Sequence, residues 1–396
     1  MVHLLRGRVL TPEAEITDGA LAFDADRILW VGPAQDLPQR FGDELPAPAP
    51  QGRTILPGLV DVHNHGGGGA SFPDATDAQE AQQAVDEHRR YGTTRMLASL
   101  VTAPREALLE RAGMLGRLLE ADAIEGVHAE GPFLSAARCG AQNPAHLIDG
   151  DPQLVSDLSA ALGGRLATMT IAPDVPHSAA VAEELVGAGV LPSFGHTDAA
   201  VEVMDEAITR AQHLLTPGGR RPTITHLFNG MRGLHHREPG PIPPVLAAAR
   251  AGDLIVELVA DGVHLHPHLV RDMFATLGAG NIALITDAMA AAGMKDGAYR
   301  LGSLDVEVAG GVARLAEGGS IAGGTAHLLD VVRITAQGGV PLVDAVRAAS
   351  LTPAEIIQPA VPGAPFGALR IGYRADAVVV GGDWQVEEVW RDGVRL

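Results

Sequence analysis

His63 and His65 stand two residues apart at the end of the apolar run ILPGLVDVHNH. Because successive side chains of a strand point to opposite faces, both imidazoles lie on one face and can reach the same ion. Further imidazoles and carboxylates follow later apolar runs, namely Glu130, His196, His226 and Asp287. A set without thiolates suits Zn²⁺, Fe²⁺, Co²⁺ or Mn²⁺, and such an ion lowers the pKa of bound water toward about 7. The residue types therefore predict a divalent-metal site that supplies hydroxide at neutral pH.

The ligand-bearing runs belong to a longer series. From Thr54 onward the chain has eight apolar runs bounded by turn residues, namely ILPGLVDVHNH, TTRMLASLVT, IEGVHAEGPF, LATMTIAPD, LPSFGHTD, TITHLFNG, LIVELVADGVH and IALITDAM. Segments with helical apolar spacing, such as DAQEAQQAVDEHRRYG, separate these runs and end in glycine. Eight strand–helix repeats of this kind predict an α/β fold, the closed parallel (β/α)₈ or TIM barrel.

Polar residues collect at one end of the runs. Beside the six residues already named, these are Asp174, Asn229, Asp261 and His264. Barrel enzymes place their chemistry at the carboxyl ends of the strands, so the pattern predicts one active site assembled from several strands. His128 precedes Glu130 by two residues on the same strand face. We expect it to orient a ligand rather than to bind the ion.

The two ends of the chain differ from the predicted barrel. Residues 1–53 and 363–396 contain short alternating strands separated by Asp/Gly turns. Neither end is long enough to bury a core alone, so we expect the two to combine into one small β-sandwich. The predicted division assigns 1–53 and 363–396 to this sandwich and 54–362 to the metal-dependent hydrolase barrel.

Composition excludes several classes of function. Lys295 is the only lysine, whereas Schiff-base chemistry, pyridoxal phosphate and a P-loop each need a placed lysine. The net charge of −19 argues against nucleic acid and membrane partners, and it requires a local cluster of donors for any anionic substrate. The single cysteine, Cys139, and the lack of a signal-like or membrane-spanning stretch predict a cytoplasmic protein.

Several motifs resemble those of one enzyme family. G-L-V-D-V-H-N-H, H-A-E-G-P-F, F-G-H-T-D-A, T-H-L-F-N-G-M, H-H-R-E-P-G, A-D-G-V-H and T-D-A-M occur in this order over almost the whole chain. They resemble the N-acetylglucosamine-6-phosphate deacetylases of the amidohydrolase superfamily. The resemblance implies hydrolysis of the acetamide of N-acetyl-D-glucosamine 6-phosphate to D-glucosamine 6-phosphate and acetate, in amino-sugar catabolism and cell-wall recycling.

The resemblance also implies roles at the metal site. One or two divalent ions per subunit would be held, zinc foremost, the principal one by Glu130, His196 and His226 and the second by His63 and His65. Asp287 is implied as the catalytic base. Many dinuclear relatives bridge their ions with a carboxylated lysine, but Lys295 lies eight residues past Asp287 in a glycine-rich loop. We therefore expect Glu130 to supply the bridging carboxylate.

The resemblance further implies a substrate site for an amino-sugar phosphate. The candidate substrate-binding residues are Ala141, Gln142, Asn229, Gly230, His236, Arg237, His264 and Ile321. Arg237 and His264 would bind the phosphate, and in the resembling family this arginine reaches the neighbouring site of a homodimer. Without the resemblance, Arg237 would be read as part of a surface ion pair. Gln142 replaces the usual histidine, so it can donate a hydrogen bond but cannot carry charge.

Three alternatives stay open from the sequence. An N-acetylgalactosamine-6-phosphate deacetylase would differ in a 4-hydroxyl configuration that the sequence does not reveal. An N-acyl-D-amino acid hydrolase would share the metal ligands, but the HHREPG and DGVH motifs favour a sugar phosphate. A silent barrel that acts as a binding scaffold would typically lack the base or a ligand, and this chain retains Asp287 and every ligand position.

Overall fold

The computed structural model describes residues 2–41 and 52–396. Its strands are β1 (His3–Leu10), β2 (Glu15–Asp24), β3 (Arg27–Pro33), β4 (Thr54–Pro57), β5 (Leu59–Asp61), β6 (Gly66–Gly67), β7 (Ala70–Ser71), β8 (Thr93–Leu100), β9 (Gly126–Glu130), β10 (Leu166–Ile171), β11 (Leu191–Phe194), β12 (Thr223–Ile224), β13 (Ile255–Leu258), β14 (Ile282–Leu284), β15 (Gly297–Leu301), β16 (Leu304–Ala309), β17 (Val312–Leu315), β18 (Ala377–Val380), β19 (Val386–Arg391) and β20 (Val394–Arg395). Its α-helices are α1 (Ala78–Arg90), α2 (Arg105–Glu120), α3 (Pro152–Ala161), α4 (Ser178–Gly187), α5 (Val201–Leu215), α6 (Ile242–Ala251), α7 (Pro267–Leu277), α8 (Leu328–Gln337), α9 (Leu342–Ala348) and α10 (Leu351–Ile357). Within the described ranges, none of the helices is long and apolar enough to cross a membrane.

Eight parallel strands form the barrel that the sequence predicts. Each of the eight apolar runs contains one of them, and their order is β14-β13-β12-β11-β10-β9-β8-β5. The first and last strands of this sheet meet just beyond their ends, where the Asp287 amide donates to the His63 carbonyl at 3.0 Å and the His65 amide donates to the Ala288 carbonyl at 2.8 Å. The barrel therefore closes through the backbone of the candidate metal ligands.

Asp61 strengthens the same seam from inside the barrel. Its fully buried carboxylate accepts the Thr286 hydroxyl at 2.6 Å, which ties the chain after β14 to β5. Burial raises the pKa of Asp61 to about 6, although the hydrogen bonds from Thr286 oppose the shift. A buried carboxylate is retained here because it joins two strands that have few ladder bonds.

The two chain ends build one seven-stranded sheet, in the order β20-β19-β18-β4-β1-β2-β3. Four strand-to-strand steps separate β2 from β19 in this sheet. The rings of Phe23 in β2 and Trp390 in β19 nevertheless lie 5.0 Å apart, which shows that the sheet is strongly curved. The two halves of the curved sheet therefore enclose a small core between them, as the two sheets of a sandwich do. The strand β4 lies in this sheet and not in the barrel where the predicted boundary at residue 54 puts it. Pro57 and Gly58 interrupt the apolar run, and the chain changes sheets there.

A three-stranded antiparallel sheet, β15–β17, was not predicted from the sequence. It follows the last barrel strand, and its inner side packs Leu301, Val306 and Val308 against Val101 and Met289. Alternating residues with glycine turns, in YRLGSLDVEVAGGVARL, carry the signal for it. The sheet places Leu301 and the following segment over the mouth of the barrel.

A buried arginine joins the barrel to the terminal sheet. Arg95 in β8 is 1% exposed, and its guanidinium binds Glu125 at 3.1 Å, Asp376 at 2.8 Å and Asp392 at 2.6 Å. The ring of Phe366 lies 5.4 Å from the same group. One cation thus holds carboxylates from both units, and its removal would leave the buried carboxylate of Asp376 without an ion-pair partner among the described residues.

We predict that Arg95→Met destabilises the terminal sheet by about 3–5 kcal/mol, because the buried carboxylate of Asp376 loses its cation. Glu125 keeps its contact with Arg391, and Asp392 keeps its contact with Arg374. Arg210→Ala is the matched control, since the ion pairs of Arg210 with Glu183 and Glu206 are exposed and such pairs contribute about 0–1 kcal/mol. The measurement is urea unfolding followed by tryptophan fluorescence. Equal midpoints for the two variants would contradict the prediction.

Candidate metal centre and active site

The candidate ligands gather at the carboxyl-terminal rim of the barrel. Glu130 is the last residue of β9, while His196 and His226 each follow a strand end by two residues. The φ angles of His196, His226 and Asp287 are 46°, 30° and 48°, in the left-handed region that L-residues seldom adopt. Each such residue costs on the order of 1–3 kcal/mol, and such strain concentrates at functional sites. The sharp turns aim these side chains into the barrel mouth.

Glu130 is the centre of the first ligand group. Its Oε1 lies 2.9 Å from Nε2 of His196 and 2.9 Å from Nε2 of His226. The two Nε2 atoms lie 3.1 Å apart. A tetrahedral ion with bonds of about 2.0–2.1 Å needs donor atoms roughly 3.3 Å from one another. The three donors therefore have the spacing that a divalent ion requires.

A second ligand group lies beside the first. Nε2 of His63 and Nε2 of His65 are 3.1 Å apart, and each lies 3.3 Å from Oδ1 of Asp287. Oε2 of Glu130 approaches Nε2 of His65 at 3.2 Å. The two carboxylate oxygens of Glu130 therefore face different ligand groups, which is the geometry of a bridging carboxylate.

The outer nitrogens of the imidazoles fix which atoms face the ligand groups. Nδ1 of His65 donates to the Ser99 carbonyl at 3.2 Å, and Nδ1 of His196 donates to the Arg138 carbonyl at 2.8 Å. Because a carbonyl only accepts, each Nδ1 carries the hydrogen and each Nε2 keeps its lone pair for a ligand role. This donor chemistry, together with the spacing, fits one or two divalent ions.

The candidate ligands shift one another's pKa values, because they are buried close together. Burial lowers the pKa of His65 and of His196, but hydrogen bonds to Asp287 and Glu130 respectively outweigh burial and raise both. Burial raises the pKa of Asp287, yet the charges of His63 and His65 and a hydrogen bond from His65 together outweigh burial and hold this pKa well below its usual range. An ion at the Nε2 atoms has to displace protons that the carboxylates favour, so metal affinity falls as the pH is lowered.

The ligand groups open into a cavity of about 280 Å³. The cavity is lined by His65, Glu130, Gly140, Ala141, Gln142, His196, His226, Asn229, Gly230, His264, Asp287, Leu301, Ser320, Ile321 and Gly323. It therefore brings together most of the residues predicted for the site. His63, a predicted ligand, is fully buried beneath the cavity floor.

Two cavity residues supply donors opposite the ligand groups. Nδ1 of His264 binds the Asp261 carboxylate at 2.8 Å, and its Nε2 lies 3.9 Å from Asp287. Burial lowers the pKa of His264, but Asp261 outweighs burial and raises it, which favours a cationic ring facing the cavity. Gly230 has φ +58°, and a Cβ built there would lie 2.8 Å from Nδ1 of His196. Only glycine fits at this position without displacing a ligand.

Gln142 makes a hydrogen bond within the site that the amino-acid sequence does not reveal. Its Nε2 donates to Oε2 of Glu130 at 2.6 Å, and its Oε1 accepts the Thr102 amide at 2.8 Å. The Thr102 contact fixes the orientation of the side-chain amide, because a backbone N–H requires an acceptor. The side chain thus holds the Glu130 carboxylate as well as lining the cavity, and one of its two N–H donors has no partner among the residues that the structure describes.

His236 and Arg237 lie apart from the other predicted substrate residues. They belong to the exposed segment 233–238, and neither lines the cavity of its own chain. Among the residues that the structure describes, no carboxylate pairs with the Arg237 guanidinium. Leu234 in the same segment is 58% exposed. This segment therefore presents an unpaired cation and an apolar side chain to the outside.

Two further residues act on the ligands from behind. Glu257, which sequence reasoning missed, lies 3.1 Å from Nδ1 of His63. The signal for it was a charged residue inside the apolar run LIVELVA, since a charge is seldom buried in a strand without a partner. His128 bonds the hydroxyls of Ser99 and Thr170, and its ring packs against His63 with the centroids 4.4 Å apart.

Comparisons with known proteins agree with this geometry. The amidohydrolase family model matches residues 54–396. The N-acetylglucosamine-6-phosphate deacetylase of Bacillus subtilis (strain 168) is 33% identical over 322 residues, which cover 78% of this chain and 76% of the relative. The N-acetylgalactosamine-6-phosphate deacetylase of Escherichia coli O157:H7 is 32% identical over 99% of both chains. A solved structure of a variant of the N-acetyl-D-glucosamine-6-phosphate deacetylase of Mycobacterium smegmatis, in complex with N-acetyl-D-glucosamine-6-phosphate, is 40% identical, covers 100% of this chain and 99% of that one, and superposes with a TM-score of 0.89. The chain therefore belongs to the amidohydrolase family.

Proposed function

We propose that this protein hydrolyses the acetamide of N-acetyl-D-glucosamine 6-phosphate to D-glucosamine 6-phosphate and acetate. The observation that carries the proposal is the single cavity that the two ligand groups, one of which includes Asp287, share with His264, Asn229 and Gly230. The first set suits amide hydrolysis and the second suits a phosphate or a sugar hydroxyl. The names of the Bacillus subtilis and Mycobacterium smegmatis relatives support this substrate.

The reaction follows from the residues around the ligand groups. When bound, a divalent ion would polarise the acetamide carbonyl and lower the pKa of water. Asp287 accepts the proton of the attacking water and returns it to the departing amine. Burial raises its pKa, but the charges of His63 and His65 and a hydrogen bond from His65 together hold this pKa well below the usual range. The carboxylate is therefore ionised and able to accept a proton at neutral pH. Gln142 keeps Glu130 in place through the hydrogen bond to Oε2.

The proposed metals are two divalent ions of unequal affinity, zinc foremost, with iron, cobalt or manganese as alternatives. Glu130, His196 and His226 would hold the principal ion, and His63, His65 and Asp287 the other. Imidazole and carboxylate donors without thiolates suit all four metals. Because Glu130 faces both groups, it would couple the binding of one ion to that of the other.

The phosphate is proposed to bind between two subunits. Within its own chain the cavity offers one cationic side chain for a phosphate, His264. The exposed Arg237 of a neighbouring chain would supply the second, in a two-fold homodimer in which each subunit lends this arginine to the other. An arginine from the neighbouring subunit would explain how a protein with net charge −19 binds a dianionic substrate. His236 would approach the same site. We place the reaction in the cytoplasm, since a dianionic sugar phosphate does not cross a bilayer unaided.

A second candidate substrate is N-acetylgalactosamine 6-phosphate. The relative from Escherichia coli O157:H7 with that name covers 99% of both chains at 32% identity. The two substrates differ in one hydroxyl configuration, so the same metal and phosphate contacts serve both. An N-acyl-D-amino acid carries a monoanionic carboxylate in place of the dianionic phosphate, so it would not need the second cation that Arg237 is proposed to supply.

The experiment that tests the proposed function measures acetate release from a panel of substrates by the metal-loaded protein. The panel contains N-acetylglucosamine 6-phosphate, its galactosamine epimer, unphosphorylated N-acetylglucosamine and an N-acetyl-D-amino acid. We expect the highest kcat/KM for the glucosamine phosphate. A higher value for the galactosamine epimer would reassign the substrate, and no release from any of the four would support a silent scaffold.

We predict that Asp287→Asn lowers kcat by about 10²–10⁴, because the general base is removed. Asparagine has the same size and keeps one oxygen, so the ion proposed at Glu130, His196 and His226 should stay bound and the KM should change little. Asp253→Asn, an exposed aspartate before β13 at the opposite end of the barrel, is the control and should keep the parent kcat. Metal content and acetate release are measured on the same preparations. A near-normal kcat for Asp287→Asn would move the base to another residue.

We predict that Arg237→Ala raises KM for the phosphorylated sugar about 10–100-fold, as expected for the loss of a charged hydrogen bond of about 1.5–3 kcal/mol. KM for the unphosphorylated sugar should stay nearly constant. Arg271→Ala, which removes another exposed arginine, serves as the control. Equal effects on both substrates would show that Arg237 does not contact the phosphate.

The proposed contribution of Arg237 to the neighbouring subunit's site can be tested by complementation between two variants. A mixed dimer of Arg237→Ala and Asp287→Asn contains one site with its own Asp287 and an intact arginine from the other chain. Co-expression with two tags isolates this heterodimer, and its acetate release should exceed that of either variant alone. Activity no higher than that of the two homodimers would mean that Arg237 serves its own barrel.

A further inference from the structure

Glu257 is a charged residue in the interior of the barrel with no place in the proposed reaction. It lies within β13 and is 2% exposed. An unpaired carboxylate at this depth would carry a large desolvation penalty, so its partners decide why the site tolerates it. Those partners belong to both ligand groups.

One carboxylate oxygen of Glu257 makes two contacts. Oε2 lies 3.1 Å from Nδ1 of His63, a member of the group that includes His65 and Asp287. The same oxygen accepts the backbone amide of His226 at 3.2 Å, and His226 belongs to the group with Glu130. A single atom therefore contacts one residue of each candidate metal position.

The contact with His63 fixes the protonation pattern of that ring. A carboxylate oxygen accepts, so Nδ1 of His63 carries the hydrogen and Nε2 keeps its lone pair toward His65 and Asp287. A carboxylate behind an imidazole also makes the other ring nitrogen a stronger base. If the ring turned away, the buried carboxylate of Glu257 would lose its side-chain partner and keep the backbone amide of His226.

The contacts with His226 hold a strained turn. His226 has a φ of 30°, outside the range that L-residues readily adopt. The side chain of Glu257 accepts the His226 amide, and its backbone carbonyl accepts the next amide, that of Leu227, at 2.8 Å. Two hydrogen bonds from one residue thus keep the His226 ring aimed at Glu130.

We infer that Glu257 is a positioning residue shared by the two metal positions: one buried carboxylate orients His63 by its ring and His226 by its backbone, and its negative charge supports both cations. The inference rests on the metal-dependent function proposed above. It extends that function, since Glu257 does not line the cavity and contacts Nδ1 of His63 and the backbone of His226 rather than the Nε2 atoms that would bind the metals. It also makes the two metal positions dependent on each other through the barrel interior, in addition to the bridge through Glu130.

The test compares metal affinity and stability in Glu257→Gln and a matched control, Glu87→Gln. Glu87 is also a buried glutamate bonded to a histidine, with its carboxylate 3.0 Å from Nε2 of His327, but that pair belongs to neither ligand group. Zn²⁺ affinity is measured on chelator-treated protein by competition with a chromophoric chelator. Melting temperature is recorded for the metal-free and the zinc-loaded form of each variant.

We expect Glu257→Gln to weaken zinc binding about 10–100-fold, the usual effect of removing such a support. The metal-free melting temperature should stay close to that of the parent, while the rise on adding zinc becomes smaller. Glu87→Gln should bind zinc as the parent does. Glu257→Asp, which keeps the charge but shortens the reach to His63, should fall between the parent and Glu257→Gln.

Parent-like zinc affinity in Glu257→Gln would overturn the inference. Loss of the metal-free fold in that variant would overturn it as well, because Glu257 would then be needed for folding rather than for positioning the ligands. Neither readout involves substrate. A parent protein that binds zinc tightly but releases no acetate would therefore refute the proposed function and leave the role of Glu257 standing.

Discussion

The buried carboxylate of Glu130 is the interaction on which the rest of the site depends. Oε1 faces His196 and His226, while Oε2 faces His65 and the side-chain amide of Gln142. Three imidazoles from three different strands are thus gathered around one group that is 3% exposed. Burial opposes its charge, yet hydrogen bonds from His196 and His226 hold the pKa of Glu130 well below its usual range. A charge so placed is stable only if protons or cations stay beside it, which makes the barrel mouth a site for divalent ions.

The fold supplies the rigidity that this crowding requires. The first and last barrel strands are joined by the backbone of His63, His65 and Asp287, so the closure of the barrel and the position of the second ligand group are one structural feature. Left-handed turns at His196, His226 and Asp287 are tolerated because the strands before them are buried and fixed. The backbones of His63 and Asp287 cannot separate without breaking a hydrogen bond that closes the barrel. The same rigidity explains why a residue behind the ligands, Glu257, can act on both groups.

The sequence predicts much of this arrangement, because barrel strands and their carboxyl ends leave a strong pattern. Each of the eight apolar runs contains one barrel strand, and the five histidine and glutamate ligands with Asp287 meet where the runs end. The partners of Gln142 and Glu257 could not be predicted, since they depend on which side chains the closed barrel brings face to face. The sequence does not separate β4 from β5, because apolar residues continue on both sides of Pro57 and Gly58 and the two short strands look like one run. The separation of Arg237 from its own cavity was expected only from the family resemblance, because no periodicity encodes the course of a loop.

The most direct measurement of the central claim is acetate release from N-acetyl-D-glucosamine 6-phosphate by chelator-treated protein as Zn²⁺ is added in measured equivalents. If the crowded ligand groups exist to hold cations for hydrolysis, turnover should be negligible without metal and should rise with bound zinc until two equivalents per chain are present. Iron, cobalt or manganese that restored more turnover than zinc would change the metal and leave the account intact. Full turnover in the metal-free protein, or none at any metal content, would contradict it.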